Sequence, residues 1–456
     1  MLDLIERIEP LCIVQGTMAA PSVILADNPS ALVELCGIST LERLLRTLQR
    51  CGLEQAIILS STPESIGQAL ARPSWARARL DLALCSRMGG PVTIEQIVDL
   101  WPEGAELLLV VPADVVCDSR LLQLLISQND SAALVDSAAP PRFQRLVASA
   151  PETKRGKLCG PVLISREWAC VQTGPLEEVL REGLEQHTVA ALDVAAQPLY
   201  YAPMRRKLRP YWFPAPSSEC AKLARRVLLD STQKGTLDIP AIVHGPIETF
   251  IISQLCKTSI TPNQLTVMTN IVAWIATFLF ATGRLGWGLA LALVVGVLDG
   301  LDGKQARVKI ETTKSGKLEH WFDAFFEMSW WVALAYHFQS SGQLPGAFYY
   351  LALLLFAEAV DGILKGSVYF TTGKLIDELG TFERLVRLVG GRRNVYIWIL
   401  TIGFLLGTPA KAFSAMAWLE AATAAVHLPR VAWTLLRPRN RFPAVQPGAP
   451  QIARHR

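Results

Sequence analysis

No cysteine lies beyond Cys256, and the nine in the chain, from Cys12 to Cys256, stand at irregular spacings with no C-x-x-C pair. That excludes a disulfide framework and a zinc site of clustered thiolates, and it reads as reduced thiols in a cytosolic domain. Charge is scarce as well. Asp, Glu, Lys and Arg make up 18% of the 456 residues against 51% hydrophobic, with mean hydropathy +0.29. This balance excludes disorder, collagen-like repeats and a wholly soluble, heavily charged enzyme, so a membrane part is expected. One-sided charge is also lacking: 44 basic against 40 acidic residues leave +4. A nucleic-acid binder would need basic residues to dominate a face. The opening MLDLIERIEP carries acids and no sustained apolar core, unlike a signal peptide, so the first domain is expected to stay where it is made.

The length is about three typical domains, which favours more than one unit. Residues 1–203 alternate short apolar runs with amphipathic stretches, the pattern of an α/β domain. Strands are expected at 11–14, 55–59, 107–111, 132–135 and 161–164, and helices at 40–51 and 176–185. Residues 204–259 change texture: Arg205, Arg206, Lys207 and Arg209 cluster, Tyr211, Trp212 and Phe213 follow, and 218–232 reads as an amphipathic helix. Basic residues beside aromatics suit a headgroup interface. An ordinary basic linker helix accounts for them equally well.

Residues 260–440 hold six long apolar segments, at 265–282, 287–298, 322–338, 348–359, 395–406 and 413–435. A spanning helix needs about 20 apolar residues, so several reach that length only if polar residues at one end line a cavity. Six membrane helices are expected. The connecting segments test that count. One side carries Lys304, Arg307, Lys309, Lys314 and Lys317, then Lys365, Lys374, Arg384, Arg387, Arg392 and Arg393, with Arg437, Arg439 and Arg441 in or near the tail at 441–456. The other side holds Arg284 and Lys411. The asymmetry places the richer side, both termini and the N-terminal half in the cytosol.

The segment DGLDGKQAR at 299–307 carries the chemistry, followed by Glu319 and Asp323. Asp299 and Asp302 stand three apart and Glu319 and Asp323 four apart, so each pair shares a helix face. Four carboxylates on two adjacent helices are very unfavourable at a membrane unless cations neutralise them. Oxygen ligands without His or Cys suit Mg²⁺ or Mn²⁺, and a two-metal cluster would polarise a phosphoryl centre. Gly300 and Gly303 leave room for a phosphate or ribose near the backbone, and Arg307 can grip phosphate oxygens bidentately. Snorkelling or salt-bridged charges, such as Asp302 with Arg307, are the alternative, and two acidic pairs, each at the cytosolic end of a span, argue against it.

These residues resemble the D-x-x-D-G-x-x-A-R motif of CDP-alcohol phosphotransferases, a pattern followed by a glycine and two aspartates four apart. Asp299, Asp302, Gly303, Ala306, Arg307 and Gly316 match residue by residue. Glu319 replaces the third aspartate, and it follows Gly316 by three positions where the family usually has four. Asp323 fits the fourth acid; an alternative register uses Asp323 and Glu327. Thr261 to Thr266 also resembles the P-N-x-x-T start of the family's first membrane helix, and the likeness covers about 240–440. It implies a cytosol-facing site in a six-helix bundle, with Asp299, Asp302, Glu319 and Asp323 holding two Mg²⁺ or Mn²⁺ ions. Asp323 would be the general base, and Gly303, Ala306, Arg307, Asn263 and Thr266 would contact the CDP moiety. The acceptor hydroxyl would attack the β-phosphorus of a CDP-alcohol and CMP would leave. Membrane lipid is the implied surroundings, nucleic acid is not a partner, and a homodimer is left open. Arg392 and Arg393 could bind an acceptor phosphate or serve as positive-inside anchors. Glu358 and Asp361 could pair with Lys365 or face the substrate cavity.

The N-terminal half resembles sugar nucleotidyltransferases fused to such membrane domains in enzymes that make CDP-inositol. The resemblance rests on ALVELCG at 31–37 and VVPAD at 110–114, with Asp114 a lone candidate metal ligand. Active members place a Gly-rich loop with Arg and Pro-Lys after the first strand. Here QGTMAAP at 15–21 stands there, so an inactive domain is expected. The fold class is thus a nucleotidyltransferase-like α/β domain plus an all-α six-helix bundle. The function expected is CDP-alcohol phosphotransfer in phospholipid or phosphodiester biosynthesis. A di-inositol-phosphate-phosphate-type synthase is the alternative within that class; a divalent metal transporter and a pseudoenzyme lie outside it.

Overall fold

The computed structural model describes residues 21–71, 80–235, 238–311 and 316–436, without the side chains of 316–322. It falls into two compact units: one comprises 21–232 with 307–311, the other 233–306 and 316–436.

The first unit is built on a mixed sheet. Its strands are β1 (Ser22–Leu25), β2 (Gln55–Ser60), β3 (Asp81–Ser86), β4 (Leu107–Pro112), β5 (Ala132–Asp136), β6 (Gly156–Ser165) and β7 (Ala190–Asp193). They lie in the order β7-β5-β6-β4-β1-β2-β3, and a short strand at Glu152–Thr153 pairs with β6. Only β6 among these seven runs antiparallel to its neighbours, β4 and β5. The remaining pairs are parallel. Parallel strands covered on both faces read as continuous apolar runs, and LLLVV in β4 and AALVD in β5 do so; every residue of β5 is buried. Helix α1 (Thr40–Arg50) starts where the Ser39 hydroxyl accepts from the Glu42 N–H, and α2 (Leu176–Gln186) ends at His187 in the left-handed region.

The strands expected at 55–59, 107–111, 132–135 and 161–164 and both helices are present. The strand expected at 11–14 lies outside the described residues. Central β1 has only four residues, wedged between Pro21 and an Asp-Asn-Pro turn, which is why its pattern is faint.

Residues 205–214 find packing in this unit. Trp212–Pro214 pairs antiparallel with Val115–Cys117. Trp212 Nε1 and Arg209 Nη2 both donate to the buried Asp136, at 2.9 and 2.6 Å, and Phe213 is fully buried. These aromatics therefore serve the α/β core. The amphipathic helix follows as α3 (Ala221–Ser231).

The second unit is helical: α4 (Pro240–Leu255), α5 (Pro262–Ala281), α6 (Leu285–Lys309), α7 (Gly316–Ser340), α8 (Ala347–Thr372), α9 (Thr381–Val389), α10 (Arg393–Leu405) and α11 (Pro409–Leu436). Thr261 starts α5 with a capping box: its hydroxyl accepts from Gln264 N, Gln264 Oε1 accepts from Thr261 N, and Pro262 fills the first position. The core is aromatic, with Phe280, Trp330, Trp331, Phe338 and Phe413 fully buried. Val267, Ile271, Trp274 and Phe278 instead form an exposed apolar stripe on α5, an outer face suited to lipid.

All six expected apolar segments are helical. Among the described residues, α5, α6 and α8 are long and apolar enough to cross a membrane, with mean hydropathies of 1.5, 1.6 and 1.7. Helix α10 has 13 residues, short of the usual span. Helix α11 is continuous, but its apolar sequence is interrupted by Glu420, His427, Pro429 and Arg430.

Candidate active site

Asp299 and Asp302 occupy one face of α6. Asp302 is 4% exposed, and its Oδ2 accepts from Thr266 Oγ1 of α5 at 2.9 Å. Its Oδ1 accepts from Gly303 N at 2.5 Å. Asp299 Oδ2 is 2.6 Å from Arg393 Nη2. Arg393 opens α10, and its guanidinium lies 5.1 Å from the Phe326 ring centroid on α7. Thus α5, α6, α7 and α10 converge on the acid pair. An arginine on one acid and a hydroxyl on the other offset part of the desolvation cost.

A second device fixes α6 from behind. Lys304, 3% exposed, pairs with Glu248 of α4 at 2.8 Å and donates to Gly245 O and Thr249 Oγ1, each at 3.2 Å. A Cβ on Gly300 would stand 2.6–2.8 Å from the Glu248 carboxyl group. Gly300 thereby lets this carboxylate lie against α6 away from the acid face, an arrangement sequence reading missed because Glu248 is remote from the motif.

Of the other expected site residues, Asp323 and Glu327 are partly buried on α7, and the Glu319 side chain lies outside the described residues. Among the described residues, no group of three or more metal-capable side chains comes together. The donor chemistry nonetheless fits a hard divalent ion: Asp299, Asp302 and Asp323 supply only carboxylate oxygens. Asn263 is exposed in the first turn of α5, and Ala306 is partly buried. Arg307 Nε donates to Thr232 O at 2.9 Å, and Arg392 caps α10 beside Arg393.

The helical unit also buries ionisable groups that the motif does not include. Tyr396 Oη donates to Glu420 Oε2 at 2.5 Å, His427 Nδ1 meets Asp361 Oδ1 at 2.5 Å, and Lys365 lies 2.6 Å from Asp361 Oδ2. Their signal in the sequence is isolated ionisable residues within apolar helices.

In the α/β unit, Asp27 and Asp114 follow the carboxyl ends of β1 and β4, where open parallel sheets bind ligands. Burial pulls the Asp27 carboxyl up, but hydrogen bonds from Ser61 and the Arg87 guanidinium outweigh it and hold Asp27 below the usual range. Ser61 N and Oγ donate at 2.7 Å each, and Arg87 Nη2 at 2.5 Å. Burial, aided by the charge of Asp27, pushes Asp114 up.

The second unit is a helical domain with three helices long and apolar enough to cross a membrane among the described residues, and it buries an acid pair against a hydroxyl and a guanidinium. Residues 259–426 match the family model for CDP-alcohol phosphatidyltransferase. A "Bifunctional IPC transferase and DIPP synthase" of Rubrobacter xylanophilus is 32% identical over 161 residues, 35% of each chain. One of the same name from Aquifex aeolicus is 29% identical over 205 residues, 43% of this chain and 45% of the relative. The matches span less than half the length of these relatives. Among solved structures, the inositol-1-phosphate CTP transferase of T. maritima matches 46% of this chain and 98% of its own at 10% identity, TM-score 0.33.

Proposed function

We propose that the protein is a multi-pass membrane enzyme, its N-terminal unit and active site facing the cytosol. It transfers the substituted phosphate group of a CDP-alcohol to an acceptor alcohol and releases CMP. The observation carrying this reading is the buried Asp302, hydrogen-bonded to Thr266 and one helical turn from the arginine-paired Asp299, inside the matched domain. All six apolar helices span, the ionisable residues of the shorter α10 and of α11 being shielded from lipid by their partners on neighbouring helices.

Asp299, Asp302, Glu319 and Asp323 would hold Mg²⁺ or Mn²⁺, which when bound neutralises the carboxylates and polarises the phosphoryl group. The protein's own groups do the rest. Thr266 orients Asp302. Gly303, Ala306, Asn263 and Arg307 surround the CDP moiety, and Arg392 and Arg393 receive a phosphate on the acceptor. Asp323 takes the acceptor hydroxyl proton as the oxygen attacks the β-phosphorus; the bond to CMP breaks and CMP carries away the electron pair. The N-terminal unit is catalytically inactive. The relatives' name favours a soluble phosphodiester of the di-inositol-phosphate-phosphate type as product over a phospholipid.

The test is CMP release by the purified protein in nanodiscs with labelled CDP-alcohols, acceptors and Mg²⁺ or Mn²⁺. Release above the Asp302→Asn background is expected for one donor and acceptor pair. Flux of Mn²⁺ into proteoliposomes without any release would assign a transporter instead.

A further inference from the structure

Helix α9 turns its faces the opposite way from a helix in water. Phe382, Leu385 and Val389 stand three and four residues apart, so they form one stripe, and all three are exposed. Its charged side chains turn inward instead. Glu383 is 2% exposed and accepts from Arg430 Nε of α11 at 2.8 Å. Arg387 lies 3.3 Å from Asp377 of the short turn Ile376–Glu378, each side chain less than a tenth exposed. A surface helix bathed in water puts its apolar stripe inward and its charges outward. Here two ion pairs are desolvated while an apolar stripe is left uncovered, so the medium on that stripe is not water.

The flanking helices say what the medium is. On α8, Tyr349, Phe356, Ile363 and Phe370 are exposed and stand seven apart, a single apolar row along the outside of a helix long and apolar enough to cross a membrane. Phe370 lies two residues from the end of α8, and α10 begins four residues after α9 ends. At nine residues, about 13.5 Å long, α9 is too short to cross. Arg384 is exposed to one side of its stripe, and on the other the Arg430 guanidinium lies 5.4 Å from the Phe382 ring centroid. An apolar stripe with an aromatic ring and flanking cations is the make-up of a helix lying in a headgroup interface.

We propose that α9 docks on a phospholipid leaflet, on the side of the membrane where α8 ends and α10 begins. Phe382, Leu385 and Val389 enter the acyl boundary, Arg384 and Arg430 meet headgroup phosphates, and Glu383 and Arg387 fasten the helix to the protein. A second copy of the chain would need about 800 Å² per partner for a stable interface, more than these three side chains offer. The inference rests on the membrane-spanning reading of α5 and α8, and the experiment tests the two separately.

The full-length protein carries the photocrosslinker p-benzoylphenylalanine in place of Leu385 or, as the reference for a spanning helix, of Phe278 on α5. It is reconstituted in nanodiscs of phosphatidylcholine with phosphatidylglycerol, irradiated, and weighed by intact-mass spectrometry. Both positions are expected to gain the mass of one phospholipid in comparable yield. With the crosslinker at Phe382, the further change Leu385→Glu should cut the adduct about tenfold, because a carboxylate resists leaving water. The thermal transition should stay in place, Leu385 being exposed. The proposal is overturned if Phe278 gains a lipid and Leu385 does not, or if Leu385→Glu leaves the Phe382 adduct unchanged. A Leu385 product of twice the protein mass would also overturn it and make a second copy the occupant. No lipid at either position would sink the membrane-spanning reading, and this inference with it.

Discussion

The two units bury charge to different extents. In the α/β unit the strands are packed with Val, Leu, Ile and Ala, and the buried Asp136 is satisfied by Arg209 and Trp212, 73 and 76 positions away. In the helical unit, Asp299, Asp302, Lys304, Asp361, Glu420 and His427 lie on helices otherwise apolar, and their partners come from different helices. A structural ion pair needs only one good partner; a site needs groups from several elements aimed at one place. The density of buried charge supports placing the proposed function in the helical unit.

The largest effect should separate the units most sharply. Asp302→Asn keeps the size and the contact with Thr266 but removes a charge on which the proposed reaction would depend. CMP release should fall about a thousandfold, in the range of losing one preorganised electrostatic group, with the melting temperature near that of the wild type. Asp114→Asn should leave CMP release unchanged. A loss from Asp114→Asn comparable to that from Asp302→Asn would break the comparison.

Next comes the device behind α6. Lys304→Met leaves Glu248 buried without its cation and should destabilise the helical unit by about 3–5 kcal/mol, read as an earlier thermal transition in detergent. The double variant Glu248→Gln with Lys304→Met should recover most of that loss. If the two single losses simply add, the pair is not coupled. A smaller effect belongs to Thr261→Ala, which removes the hydroxyl cap of α5 and should cost about 1 kcal/mol.

The sequence pattern makes the elements of both units legible, because apolar runs and helical periodicity are local. It also exposes the acid pair, since Asp299 and Asp302 lie within nine residues of one another and of Arg307. What it hides is long-range. Thr266 meets Asp302 across 36 positions and Arg393 meets Asp299 across 94; residue spacing carries no record of either distance. Glu248 was invisible because its role depends on Gly300 having no side chain, and Tyr211 to Phe213 were ambiguous because an aromatic cluster looks alike in a core and at a lipid boundary.

The smallest expected effect sharpens the reading of the α/β unit. Asp114 is raised in the folded state and Asp27 lowered, so their contributions to stability run oppositely with pH. For Asp114 the folded protein holds its proton more tightly than the unfolded chain. Stability is therefore lost as pH rises from about 3.9, the ordinary carboxylate value, through the folded value. For Asp27 the folded protein releases its proton more readily, so its stabilisation is present above the ordinary value and is lost as pH falls through the folded one. Asp114→Asn retains an oxygen to accept from Ser30 and removes the charge that burial and Asp27 oppose. At pH 7 it should raise the melting temperature of this unit by about 2–4 °C, and the gain should vanish toward pH 3. An Asp114→Asn protein less stable than the wild type at pH 7 would mean that the carboxylate is held by a favourable contact, and a cation at the ends of β1 and β4 would then be the first ligand to test.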